Sequence, residues 1–291
     1  MADFDLVIWD IDRVWYPDIS TTYCARGSEA DYRPYLTQMV EEKGWFTYDH
    51  VKQWERQTGR EVNSVGAVAD MLTDFLYKMK GVVYEGVSDQ DAKTRTIEGK
   101  QALLKGLTMG NVKRIADSVD GTDGLSDAIY ALRKGHVTQV GFSDGLAPFV
   151  AYKMSQKDVA VGGVVPALVE LPDGQVWFDK TNYLDMLAGN AVLLGKAGSF
   201  KKAEAIKHYQ DSCGLTRDRT IAVDDSAANI ETLARINQEG GLGIAFNPND
   251  GEAFQKAGIP ILNTRGSIFP IANIANDRRK LNAYREMGWI I

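Results

Sequence analysis

The chain has 291 residues, 44% of them hydrophobic and 25% charged, with a formal charge of −6. That length suits one ordinary core plus a sizeable second unit, and the negative balance without a Lys/Arg run argues against a phosphate-backbone binder, so nucleic acid is not an expected partner. Two cysteines, Cys24 and Cys213, lie far apart without metal-ligand spacing, and no apolar run is long enough to span a membrane. Both features suit a reducing compartment, and the chain reads as cytoplasmic.

Leu6-Val7-Ile8-Trp9 predicts a short strand buried on both faces, as in parallel sheets. Asp10 and Asp12 follow it, and a carboxylate leaving a buried strand costs several kcal/mol unless a cation or hydrogen-bond donors compensate it. From about Asp18 to Asp120 apolar residues recur at helical spacing: Tyr35-Leu36-Met39-Val40, Val51-Trp54, Val65-Val68-Met71-Leu72-Phe75-Leu76 and Leu103-Leu104-Leu107-Val112-Ile115-Ala116. Gly44, Gly59 and Gly81 separate these runs. They predict three to five helices inserted after the first strand, with Trp45, Phe46, Tyr48 and Trp54 in their core. His50, His136 and His208 show no partner spacing and read as surface or structural residues.

A helix over Leu125–Leu132 ends at Gly135, and a strand over 137–142 runs into Ser143-Asp144-Gly145 and another helix. Val159 to Leu171 and Val176-Trp177-Phe178 flank Pro172-Asp173-Gly174, a hairpin signal. Ser199 is positioned to cap a helix through Ala203, Ile206 and Cys213, stopped by Gly214. Strands over 219–223, 242–246 and 259–262 follow, the last an edge strand because of Pro260. Arg278 to Ile291 reads as a charged helix with an apolar end, Trp289-Ile290-Ile291, for which the sheet and a second subunit are both possible partners. Strand–helix alternation of this kind means an α/β fold, a doubly wound parallel sheet, with an all-helical cap inserted in it.

Three strands thus end in polar or acidic residues: Asp10/Asp12, Ser143/Asp144 and Asp224/Asp225. If these strands are neighbours, their ends converge on one crevice. Clustered carboxylates repel unless a divalent cation sits among them, and an oxygen-only ligand set points to Mg²⁺. Lys201 and Lys202 stand in the first turn of a helix, where the macrodipole disfavours cations by a few tenths of a kcal/mol, and either could reach such an acidic pocket.

Taken in order, Asp10-Ile-Asp12-Arg-Val14, Phe142-Ser143-Asp144-Gly145, Lys202 and Val223-Asp224-Asp225-Ser226-Ala-Ala-Asn229 resemble the four motifs of haloacid dehalogenase superfamily phosphatases. Ala102-Leu103-Leu104-Lys105-Gly106-Leu107-Thr108, Gly121-Thr-Asp-Gly124-Leu125 and Gly243-Ile-Ala-Phe-Asn247 are similar to the phosphoserine phosphatase branch. The resemblance implies a core of residues 1–18 and 106–291 and a helical cap of residues 19–105. It implies that Asp10 is the nucleophile forming an aspartyl-phosphate and Asp12 the general acid/base. Ser143, Asp144 and Gly145 would bind the phosphoryl group at a helix N-terminus, and Lys202 would neutralise charge on it and on Asp10. Lys202 is preferred to Lys201 because its offset of 23 residues to Asp225 fits the branch, with Lys196 a distant third. Mg²⁺ would be held by Asp10, the Asp12 backbone carbonyl and Asp225, with Asp224 or Asn229 in an outer position.

Several residues depart from the pattern. Val14 replaces a common threonine, and Asn229 stands where a second acid is usual. Ile19 occupies about the place of that branch's cap glutamate, and Lys100 that of its cap arginine, so the expected substrate is a small phosphorylated metabolite other than phosphoserine. Phosphoryl transfer to an acceptor other than water is a second expectation. A receiver-type signalling module is a third, against which Asp12 and the long insertion both argue.

Overall fold

A computed structural model describes residues 2–16, 31–76, 95, 98, 99, 102, 107–164, 167–170, 176, 177, 192–196, 201–248, 250–264 and 266–291. Ile19, Cys24, Lys100, the Pro172-Asp173-Gly174 turn and Ser199 fall outside these residues.

The first strand, β1 (Leu6–Trp9), is buried at all four positions. It is followed by helices α1 (Arg33–Thr37), α2 (Tyr48–Thr58) and α3 (Val65–Leu76), with one turn of π-helix at Gln38–Glu42 after α1. Thr47 and His50 form a reciprocal capping box at the start of α2, and Gly59 ends it in the left-handed conformation at φ 67°. His50 is therefore structural. These helices share a core of their own, built from Met39, Phe46, Val51, Trp54, Val62, Val65, Val68, Met71 and Leu72. Of the aromatics expected there, Trp54 and Phe46 are buried, whereas Tyr48 is 45% exposed with its hydroxyl donating to Glu41.

The chain continues through α4 (Met109–Ser118), α5 (Leu125–Lys134), β2 (Thr138–Ser143), α6 (Ala147–Ser155) and β3 (Ala160–Val164), then β4 (Ala167–Glu170), β5 (Val176–Trp177) and β6 (Val192–Lys196). It closes with α7 (Lys202–Cys213), β7 (Thr220–Asp224), α8 (Ile230–Gln238), β8 (Leu242–Phe246), α9 (Gly251–Lys256), β9 (Ile261–Leu262), α10 (Pro270–Asn276) and α11 (Lys280–Glu286). Six strands form one sheet in the order β3-β2-β1-β7-β8-β9, and every pair in it is parallel. Side chains alternate between its faces as the pleat requires. Val7 and Trp9 of β1, Ile221 and Val223 of β7, and Leu242, Ile244 and Phe246 of β8 join one cluster, covered by α4, α5, α6 and α10. Leu6, Ile8, Val140, Phe142, Ala222 and Ala245 join the other, covered by α7, α8 and α9. The expected doubly wound sheet with an inserted helical cap is the fold observed.

Three details differ from the sequence reading, and one alternative that it left open is decided. The stretch 159–171, expected as one strand, divides: β3 ends the large sheet, and β4 enters a separate antiparallel sheet of order β5-β4-β6. Strand β6 was not anticipated, although Val192-Leu193-Leu194 is an apolar run. Helix α7 is capped by Lys201 rather than entered at Ser199, so Lys202 is its first residue. The C-terminal tail lies on the sheet: backbone bonds join Ile261 to Ile291 in both directions (2.8 and 3.0 Å), and Ile290 is buried. A short edge strand carrying a proline is thereby covered.

At Gly243 of β8 the backbone of α8 lies close against the sheet. A Cβ there would lie 2.3 Å from the Leu233 carbonyl oxygen and 2.8 Å from its carbonyl carbon. Because these are backbone atoms, Gly243→Ala is expected to lower stability by about 3 kcal/mol. Gly251→Ala, at the start of α9 where nothing is closer than 3.9 Å, is the control and is expected to be neutral or stabilising. Chemical denaturation of the two variants checks this contrast.

Candidate active site

Register brings the acidic residues together. Trp9 of β1 is level with Gly141 of β2 and Val223 of β7, so the next residue along places Asp10 beside Phe142 and Asp224. The Asp10 N–H donates to the Val223 carbonyl at 2.9 Å, extending the β1–β7 ladder by one bond. Apolar strands thus deliver two carboxylates side by side at the carboxyl edge of the sheet, and Asp225 follows at once.

Lys202 fills the space between them. Its Nζ lies 2.9 Å from Asp10 Oδ1 and 2.5 Å from Asp224 Oδ2, and all three side chains are almost fully buried. Lys201, by contrast, is exposed and pairs with Glu204. Lys196 is the last residue of β6. Burial alone would drive the Lys202 proton off, but the facing Asp10 and Asp224 carboxylates outweigh it and hold the ammonium above its ordinary value.

The second oxygen of Asp224 accepts from the Ser226 N–H (2.9 Å) and from Asn229 Nδ2 (3.1 Å). Asn229, at the N-cap of α8, spends its side chain on Asp224 instead of on the helix. Its amide donates where an acid in its ionised form could not, which gives a reason for asparagine at this position.

Asp10, Asp224 and Asp225 each present a carboxylate oxygen within 4.8 Å of the others, an arrangement able to hold a metal ion. The carboxylate of Asp12 lies outside this group and is half-buried, and Asp224 lies within it with both oxygens already bonded, to Lys202, Ser226 and Asn229. One lysine does not neutralise so many acids. Desolvation, with Asp224 and Asp225 nearby, keeps the Asp10 carboxyl well above its usual range despite Lys202. Burial and the adjacent Asp224 push Asp225 up to about 7, against the opposing pull of Arg13 and Lys202.

The polar turn after β2 completes the crevice. Ser143 is fully buried, and its Oγ accepts from the Gly145 N–H at 3.0 Å. That leaves the hydroxyl proton free to donate elsewhere. Gly145 is buried, whereas Asp144 is exposed. Among the residues here, the sequence reading gave no role to Arg13, whose charge acts on Asp225.

No family model and no curated protein matches this chain. Solved structures do. The chain is similar to a haloacid dehalogenase family hydrolase from Salmonella enterica subsp. enterica serovar Typhi, with a TM-score of 0.57 at 13% identity over 94% of this chain and 71% of that one. It is also similar to a phosphoserine phosphatase in its apo form (TM-score 0.52, 16% identity, 97% and 98% of the two chains). A phospho-aspartyl intermediate analogue of phosphoserine phosphatase matches with TM-score 0.53 at 16% identity over 97% and 98%. The fold is therefore that of the haloacid dehalogenase hydrolases, as the motifs implied.

Buried carboxyls whose pKa is raised make the folded state the better proton binder between about pH 4, where unfolded Asp titrates, and about pH 7. Stability of the metal-free protein is expected to fall across that interval and to stay low above it. Asp225→Asn removes one such group, so in EDTA the variant is expected to melt several degrees above the parent at pH 8, the gap closing by pH 5. Added divalent cation is expected to raise the parent's melting temperature more at pH 8 than at pH 5, and to leave the variant nearly unmoved. Thermal melts with and without cation check this.

Proposed function

We propose that this chain is a Mg²⁺-dependent phosphomonoesterase that acts in the cytoplasm on a small phosphorylated metabolite through an aspartyl-phosphate on Asp10. The observation that carries the reading is the buried Lys202 ammonium bonded to both Asp10 and Asp224, beside three carboxylates close enough to share a cation. A nucleophilic carboxylate needs to stay ionised in a dry site, and Lys202 supplies that bias.

In the first half-reaction an Asp10 oxygen attacks phosphorus in line, and the bond from phosphorus to the leaving oxygen breaks. Asp12, two residues on and half-buried, gives its proton to that oxygen. In the second, water attacks the phosphorus of the aspartyl-phosphate, Asp12 takes the water proton, and Asp10 and inorganic phosphate are released. Ser143 Oγ–H and the N–H groups of Asp144 and the residues after it at the start of α6 would hold phosphoryl oxygens, with Lys202 balancing their charge. The three clustered carboxylates fit a hard divalent cation, because each is an oxygen donor and because burial, with their mutual repulsion added, raises the pKa values of Asp10 and Asp225. Asp10, the Asp12 backbone carbonyl and Asp225 would hold Mg²⁺, with Asp224 or Asn229 in an outer position, and the ion would supply charge neutralisation on the phosphoryl oxygens.

Residues 19–105 would form the cap that excludes water and sets specificity. The neighbouring phosphoserine phosphatase supports a small phosphorylated substrate, whereas Ile19 and Lys100 in place of that branch's glutamate and arginine support a different one.

Hydrolysis of an aryl phosphate tests the reading. Turnover is expected with Mg²⁺ and not in EDTA. Asp10→Asn is expected to abolish it, and Lys202→Met to lower kcat by roughly 10²–10³-fold, as loss of a preorganised charge does. Metal-independent turnover, or full activity in Asp10→Asn, contradicts the proposal.

A further inference from the structure

Asp10 is fixed to the sheet by its own backbone bond to Val223, but the chain then leaves the sheet, and the placement of Asp12 depends on the turn that follows. That turn is closed by bonds of its own. The Trp15 N–H donates to the Ile11 carbonyl at 2.9 Å, the Arg13 N–H donates to the Tyr16 carbonyl at 3.1 Å, and a β-bridge joins Asp12 to Tyr16. These bonds shape the turn without aiming it. Val14 and Trp15 are fully buried in the core, but apolar burial is non-directional, so it holds the turn down without fixing its rotation.

One residue supplies the direction. Thr122, 4% exposed and 108 residues from Val14 in sequence, donates its backbone N–H to the Trp15 carbonyl at 2.7 Å and its Oγ1–H to the Val14 carbonyl at 2.6 Å. Its own carbonyl accepts at 3.0 Å from the N–H of Leu125, the first residue of α5, so the threonine is tied to a helix that covers the sheet. Two successive carbonyls of the turn thus meet two donors of a single buried residue. A valine there would have nearly the same shape and would take the hydroxyl donor away from the Val14 carbonyl.

We infer that Thr122 is a positioning residue: by holding the Val14 and Trp15 carbonyls it aims the Asp12 carboxyl at the leaving oxygen. The inference rests on the phosphomonoesterase reading, in which Asp12 gives its proton to that oxygen as its bond to phosphorus breaks. A general acid matters in proportion to the basicity of the oxygen it protonates. A phenolate stabilised by a nitro group departs without a proton, whereas one carrying a methoxy group needs it. A misplaced acid therefore slows one ester and spares the other, and a weakened fold slows both alike.

The test compares para-nitrophenyl phosphate with para-methoxyphenyl phosphate, esters of similar size, at saturating Mg²⁺ through kcat/KM, which reports the first half-reaction. In Thr122→Val, kcat/KM for the methoxyphenyl ester is expected to fall by about 10-fold to 100-fold, the range for a reacting group displaced by about an ångström, and for the nitrophenyl ester by less than about 3-fold. Thr122→Ser keeps the Oγ donor and is expected to restore the parent's ratio of the two values. Asp12→Asn is expected to show the Thr122→Val pattern in stronger form. The ratio does not depend on how much of a sample is folded, so lost stability in Thr122→Val leaves the comparison intact. Equal losses on the two esters, no loss on either, or a Thr122→Ser that behaves as Thr122→Val overturns the inference. The failures separate. A parent without turnover, or an Asp12→Asn that treats the two esters alike, refutes the underlying reading and the inference with it, whereas selectivity in Asp12→Asn without selectivity in Thr122→Val refutes the inference alone.

Discussion

The ammonium of Lys202, buried between Asp10 and Asp224, is the interaction on which the site depends. A lysine taken out of water costs several kcal/mol unless its charge is matched and its hydrogen bonds are filled. Here three elements meet to do so: β1 delivers Asp10, β7 delivers Asp224, and α7 begins with the lysine itself. Because a cation at a helix N-terminus is disfavoured by the dipole, the two carboxylates are what make this placement tolerable. Removing the lysine would leave buried, uncompensated acids, and so the contact fixes both the geometry of the crevice and its ionisation.

That clamp does not complete the charge balance. Asp225 is still pushed up to about 7 by burial and by Asp224. The folded chain thus holds an acidic cluster that is unfavourable by itself, and it does so because the sheet beneath is apolar on both faces. Strand register, not local preference, forces Asp10 and Asp224 together; the core stabilises what the crevice destabilises. A site that stores such repulsion is suited to a cation, which relieves it.

Much of this was legible in the residues. Continuous apolar runs such as Leu6–Trp9 and Leu242–Phe246 mark strands buried on both faces, and Pro260 marks the edge. The acidic strand ends stood out because polar residues there break an apolar pattern. What was not legible has physical causes. β6 is a short apolar run without alternation, and runs of that kind are ambiguous. The start of α7 was misplaced because Ser199 is a good cap by type, whereas Lys201 takes the position without a side-chain capping bond. The C-terminal Trp289–Ile291 was apolar in either of two settings, and only the backbone bonds to β9 decide for the sheet. The role of Asn229 as a donor to Asp224 needed the loop geometry, which spacing alone does not give.

The central claim is that Asp10 carries the phosphoryl group. Its most direct measurement is acid quenching of the protein during turnover of a phosphorus-labelled aryl phosphate, followed by digestion and mapping of the label. The account expects label on the peptide containing Asp10, released by hydroxylamine as an acyl-phosphate is, and absent in Asp10→Asn. Label that resists hydroxylamine, or that maps to Ser143 or another residue, would contradict it.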